Sequence, residues 1–172
     1  MIVLSPTRLH WIKDDGIDDP CDLCAHSPVR FEIDGETLVA PEDGDVTVSA
    51  GAIYLLRTLE LDHTQESPVG EQLFPCCGHA MYDTGDEDVV ICGCPNGSNV
   101  FITHDGHVLR IATQDGRAFA VSVDDWRFAT CEFSDAVRQF YEDSLPKTPA
   151  NDEESAGFAK MMAEWNRRRV QM

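Results

Sequence analysis

The run "NVFITHDGHVLRIATQDGRAFAVSV", residues 99–123, decides the fold class. Three short apolar-rich stretches, "NVFITH", "HVLRIAT" and "RAFAVSV", are joined by "HDGH" and "TQDGR", and the two joints repeat ten residues apart. Each joint centres on Asp-Gly, a dipeptide that readily supplies the positive φ angles of a tight turn. That spacing predicts consecutive antiparallel strands, a β-meander. In the last strand Phe119, Val121 and Val123 share one face and Ala118, Ala120 and Ser122 the other, so one side is built to pack.

Working outward, "QLFP" and "DVVICG" extend the strand-rich region back to residue 72, and "VRFEI" and "ETLVA" flank Asp34-Gly35 as an earlier hairpin. Between them "SAGAIYLLRTLELDH" sets Ile53, Leu56 and Leu59 or Glu60 at helical spacing. With Ser49 as cap this predicts a helix to about Leu61, although Val46, Val48 and Ile53 to Leu55 also fit a strand. Residues 1–28 read as an irregular acidic opening segment, 29–133 as mainly β with one helix, and 134–172 as two helices. The first of these starts at Ser134 in "SDAVRQFYEDSL" and is broken by Pro146 and Pro149. The second runs from about Asp152, with Asp152, Glu153 and Glu154 in its first turn and Arg167, Arg168 and Arg169 in its last, matching both ends of the helix dipole. Its stripe of Phe158, Met161, Met162 and Trp165 is expected to dock as core. The expectation is one α+β domain: an antiparallel meander, helices packed on one side, a C-terminal helix pair and a structural zinc site.

The 172 residues carry 31 Asp and Glu against 13 Lys and Arg, a formal net charge of −18. Such a field repels nucleic acid and anionic lipid, so neither is an expected partner. The acids of "KDDGIDDPCD" and "PEDGD", namely Asp14, Asp15, Asp18, Asp19, Glu42, Asp43 and Asp45, are the candidate contacts for a basic partner, with Trp11 as an exposed aromatic anchor beside them. The other reading of the same acids is a solvated loop surface. There is no apolar run of 18 residues, and "MIVLSPTRLHWIKDD" is interrupted by Pro6 and Arg8, so neither a membrane helix nor a secretory signal is expected and the cytoplasm is the expected location.

Seven cysteines in a reducing compartment point to metal ligands or buried thiols rather than a disulfide framework. Structural zinc takes four thiolate or imidazole ligands, commonly as two short pairs on tight turns. Cys21 and Cys24 of "CDLCAH" form one such pair, and Cys77 and His79 of "FPCCGHAMY" the other. Cys76, Cys92, Cys94 and His26 compete for the same roles, and free buried thiols remain the alternative. Cys131 reads as core. Cys77 and His79 as nucleophile and base lack an orienting third group, and the chain has no HExxH, P-loop, GxGxxG or GxSxG motif.

A non-catalytic binding protein is therefore the leading class. The C-terminal runs "VSVDDWRFATCEFSDAVRQFYEDSLPK" (121–147) and "FAKMMAEWNRRR" (158–169) resemble the closing parts of immunity proteins of bacterial toxin systems. The resemblance implies a cytosolic α+β inhibitor that occludes a cognate, basic protein toxin. A zinc-stabilised adaptor or regulatory protein, a DNA-mimicking inhibitor and a cysteine-dependent enzyme stand as the rival readings.

Overall fold

The computed structural model describes residues 1–78 and 80–170. In chain order its elements are β1 (Ile2–Pro6), β2 (His10–Trp11), β3 (Ala25–Ile33), β4 (Glu36–Val39), β5 (Asp45–Thr47), α1 (Val48–Arg57), β6 (Phe74–Pro75), β7 (Ala80–Tyr82), β8 (Val90–Cys92), β9 (Gly97–Ser98), β10 (Val100–Asp105), β11 (Val108–Thr113), β12 (Ala118–Ser122), α2 (Val123–Glu142) and α3 (Asp152–Val170). The class is α+β, as the alternating strand pattern and the two C-terminal helical periods require.

The long strand β3 organises the first sheet. Val29, Phe31 and Ile33 point into the core while Arg30 faces water, the period-2 pattern that fixes register because a one-residue slip would expose all three. Strand β1 pairs with it antiparallel from Ile2↔Ile33 to Pro6↔Val29. β4 returns through Asp34 and Gly35, both at positive φ, as the Asp-Gly pair predicts. β2 and β5 pair with the N-terminal end of β3. Residues 1–28 are thus not irregular: they hold two strands and the start of a third. The meander β10–β11–β12 forms as expected and buries Val100, Ile102, Leu109, Ile111 and Val121.

Helix α1 is the centre of the molecule. Every residue from Val48 to Leu56 is buried, and it touches β3, β6, α2 and α3. A helix that is small or apolar on all sides has to be wrapped on all sides. It begins at Val48, with Thr47 rather than Ser49 in the N-cap position, and ends at Arg57 rather than near Leu61. Helix α2 begins at Val123, well before the expected Ser134. The hydroxyl of Ser122 accepts the Asp125 N–H at 3.0 Å, and Asp124 and Asp125 lie in the first turn, where the dipole favours acids. One stripe of Trp126, Ala129, Thr130, Phe133, Val137 and Tyr141 then continues unbroken into the core, with Ser134 buried inside the helix and Cys131 half-buried.

The stripe on α3 docks as expected, Met161 and Trp165 fully and Phe158 and Met162 partly. Trp11 is not the exposed aromatic that its acidic neighbourhood suggested. It is buried against Phe140 and Tyr141, with ring centroids 4.7 and 5.3 Å away, and Lys147 Nζ caps its face at 3.2 Å from the centroid. Lys147 in turn bonds Asp18 at 2.9 Å, which ties the linker between α2 and α3 to the opening segment.

Candidate metal centre and acidic surface

Strands β6 and β9 pair as Phe74↔Ser98 and Pro75↔Gly97, and β7 and β8 pair as Ala80↔Cys92, Met81↔Ile91 and Tyr82↔Val90. The two ladders share one register, so residues 74–82 and 90–98 are the arms of a single hairpin that opens in its middle. The Cys76 N–H to Asn96 carbonyl bond, 2.9 Å, continues the register into the opening. Pro75 and Pro95 have no N–H to give to the ladder, which helps explain why it parts there. The arms nevertheless touch: a Cβ on Gly93 would lie 2.1 Å from the Cys77 carbonyl oxygen, so only glycine fits.

The opening gathers three sulfurs. Cys76, Cys77 and Cys94 place their Sγ atoms within 4.8 Å of one another, and among the described residues they are the group of three that can hold an ion. Cys76 and Cys94 are in sulfur–sulfur bonding contact, with Cα atoms 7.0 Å apart, just beyond the roughly 4.4–6.8 Å that a disulfide usually spans. A disulfide uses two sulfurs, and Cys77, the chain neighbour of Cys76, sets a third beside them, so that the three could together hold a metal when the pair is reduced. The backbone N–H of Cys94 donates to Cys77 Sγ at 2.9 Å, an outer contact of the kind that orients a ligand. Converging soft thiolates suit zinc and other thiophilic ions. Oxidation of Cys76 with Cys94 and ligation by both are mutually exclusive states of the same atoms.

Of the four ligands expected from sequence, Cys77 is in this group and His79 lies outside the described residues. Cys21 and Cys24 are not in it. Cys21 is exposed. Cys24 is buried, and its thiol approaches the Gly78 carbonyl at 3.8 Å, so the opening segment does reach the cysteine hairpin, through a neutral contact. Burial, reinforced by Asp22 and Glu154, pushes the Cys24 thiol up to about 12. His26 bonds the Cys24 carbonyl and Thr47 Oγ1, at 3.0 and 3.1 Å. Cys92 is exposed on β8. The sequence feature that marks Cys76 and Cys94 is that each adjoins a proline, Pro75-Cys76 on one arm and Cys94-Pro95 on the other, in two nine-residue arms about one loop.

The loop end of the hairpin is held by charge. Glu164 on α3, its side chain 0% exposed, accepts from Arg57 Nε (2.8 Å) and Nη2 (2.9 Å), Arg168 Nε (2.8 Å) and the Val89 N–H (2.8 Å). Arg57 also donates to the carbonyls of Val69 and Val89, and Arg168 to Asp88 and Glu60. Asp88 loses solvation there, yet Arg168, Arg57 and Arg167 hold its carboxyl below the ordinary value. Two helical turns before Glu164, Gly157 lets α3 approach β7, since a Cβ there would sit 1.9 Å from the Met81 carbonyl oxygen.

The same accounting extends over the surface. Twelve of the 13 Lys and Arg form ion pairs with carboxylates of this chain, and Arg110 is the one for which the described residues show none. The three arginines ending α3 are each occupied: Arg167 by Glu87 and Asp88, Arg168 by Glu60, Asp88 and Glu164, Arg169 by Asp135. Exposed pairs of this kind add little stability, about 0–1 kcal/mol each, but they leave almost no free cation. Most of the loop acids expected to meet a partner also have internal work. Asp14 takes Arg8 on both oxygens, which draws its carboxyl below the ordinary value. Asp18 takes the Leu145 N–H and Lys147, and Asp19 takes Lys13 and the Cys21 N–H, each lowered by those contacts. Asp15 accepts from Ile17, Asp43 from Ala40, and Asp45 lies 3.2 Å from His10. Of the seven, Glu42 alone shows no such partner among the described residues.

No family model, curated protein or solved structure matches the chain. Among the described residues, no helix is long and apolar enough to cross a membrane.

Proposed function

We propose that this chain is a non-catalytic binding protein that captures a basic protein partner, and that its cysteine hairpin is stapled by a structural zinc ion on Cys76, Cys77 and Cys94. The observation that carries the reading is the internal use of twelve of the 13 cations. What a partner meets is then overwhelmingly carboxylate, a field that steers basic proteins in and speeds their association by a factor on the order of 10 to 1000. A cytoplasmic immunity protein that occludes a basic toxin is the form of this function that the C-terminal resemblance favours.

The zinc part rests on three convergent sulfurs, which become three thiolate donors once the Cys76–Cys94 pair is reduced, with an oriented second contact, and His79 is the donor that sequence offers for the fourth position. A closed four-ligand site has no room for substrate, so it supports structure rather than turnover. The functional part is tested by co-producing the chain with the protein encoded beside its own gene. Relief of that neighbour's toxicity together with a stoichiometric complex is the expected result. A harmless neighbour, or toxicity that persists at saturating levels of this chain, would remove the immunity reading.

A further inference from the structure

We infer that the outward face of α2 around Phe128 is the docking surface for a basic segment of a protein partner, one that carries an apolar side chain between two cations. This rests on the reading above that the partner is basic. Phe128 is 68% exposed, the largest apolar side chain so displayed on a helix. It stands at the mouth of a cleft of about 330 Å³ lined by Met1, Ile2, Leu4, Asp125 and Glu132 among others. Asp125 and Glu132 lie three residues before and four after Phe128, hence on the same face, about 10 Å apart along the helix axis. Among the described residues neither carboxylate forms an ion pair. The nearby cations are already taken: the Met1 ammonium by Asp34, Arg127 by Asp124, and Arg169, which also feels Glu132, by both oxygens of Asp135.

An exposed aromatic over a cleft with unpaired acids at both ends has the layout of an interface hot spot, an apolar anchor inside a polar rim. Charge selects the occupant. A second copy of this chain brings the same net charge of −18 and, among the described residues and Arg110 aside, no Lys or Arg without a carboxylate partner to set against these acids. An anionic membrane is repelled in the same way. A segment with lysine or arginine on either side of a leucine or phenylalanine satisfies all three positions at once.

The test uses the full chain and a labelled synthetic peptide bearing one phenylalanine flanked by lysines, followed by fluorescence anisotropy, with a control peptide that has serine in place of phenylalanine. Binding of the first peptide should weaken at least about tenfold in Phe128→Ser. It should also weaken, and lose much of its salt dependence, in the Asp125→Asn, Glu132→Gln double variant. Glu42→Gln should leave it unchanged, and the serine peptide should not distinguish Phe128→Ser from the parent chain. Circular dichroism establishes that the variants fold, as an exposed side chain predicts. Peptide binding that Phe128→Ser does not alter overturns this site while leaving a basic partner standing elsewhere. Absence of binding to either peptide overturns the basic-partner reading itself. Dimerisation of the parent chain in sedimentation, abolished by Phe128→Ser, makes the occupant a second copy and overturns the proposal.

Discussion

Replacing Glu164 by Gln keeps the side chain's volume and removes its charge. The carboxylate accepts four donors, from Arg57, Arg168 and the Val89 N–H, with its side chain wholly out of solvent. The substituted amide brings two hydrogens of its own into a site already crowded with donors. Arg168 keeps Asp88 and Glu60, but Arg57, whose side chain is 11% exposed, is left with two backbone carbonyls and no carboxylate. Breaking a buried pair by removing one partner costs about 3–5 kcal/mol. The contacts that Arg168 retains put the loss near the lower end, about 3 kcal/mol, a large share of the roughly 5–15 kcal/mol that holds a domain. For a chain of this size each kcal/mol moves Tm by about 2–4 °C, so Tm should fall by about 6–12 °C. Urea denaturation followed by far-UV circular dichroism reads the loss directly, and hydrogen exchange at Val89 should rise with it. Glu142→Gln, which removes an exposed pair with Arg138, is the control and should cost no more than about 0.5 kcal/mol. A loss below about 1 kcal/mol in Glu164→Gln would refute the argument that this ion cluster anchors the cysteine hairpin.

Other outcomes follow from the same structure. Trp11→Ala should destabilise by about 3–5 kcal/mol in chemical denaturation because a packed indole leaves a cavity, whereas an exposed Trp11 would give close to no change. Ser122→Ala removes the hydroxyl that caps α2 and should cost about 1 kcal/mol; an unchanged urea midpoint would mean that the first turn is held by something else. His63 is buried, takes the Val69 N–H on Nδ1 and bonds Asn99 through Nε2, and burial lowers its pKa despite the opposing Asn99 bond. A folded pKa below the unfolded value of about 6.5 means stability is fully present above that pH and is lost as pH falls through it. The urea midpoint should therefore drop between about pH 7 and pH 5, and a midpoint that stays flat over that window would contradict the neutral, buried role.

The meander, the Asp34-Gly35 hairpin and the C-terminal helix were legible in the sequence because each is a local decision, written in turn dipeptides and in residues three or four apart. The start of α2 was not. Strand alternation runs through Val121 and Val123, and aromatic Trp126, Phe128 and Phe133 conceal a helical stripe until the cap at Ser122 is seen to bond Asp125. Strands β1 and β2 were missed because they are short and broken by Pro6 and Arg8, and their partner, β3, lies some twenty residues on. For the site, the sequence reading and the sulfur cluster that the fold assembles share one member, Cys77. Which other sulfurs joined it depended on the register between two arms separated by a loop, a long-range property that cysteine spacing alone does not carry. Trp11 was misplaced for a related reason: the residues that cover it, Phe140 and Tyr141, come from α2.

The most direct test of the central claim is the metal content and X-ray absorption spectrum of the chain purified under reducing conditions without added metal. The account predicts one zinc per chain with sulfur scatterers at about 2.3 Å, lost in Cys76→Ser, Cys77→Ser or Cys94→Ser and kept in Cys21→Ser. A metal-free protein of undiminished stability, or zinc retained when Cys77 and Cys94 are both replaced, would contradict it.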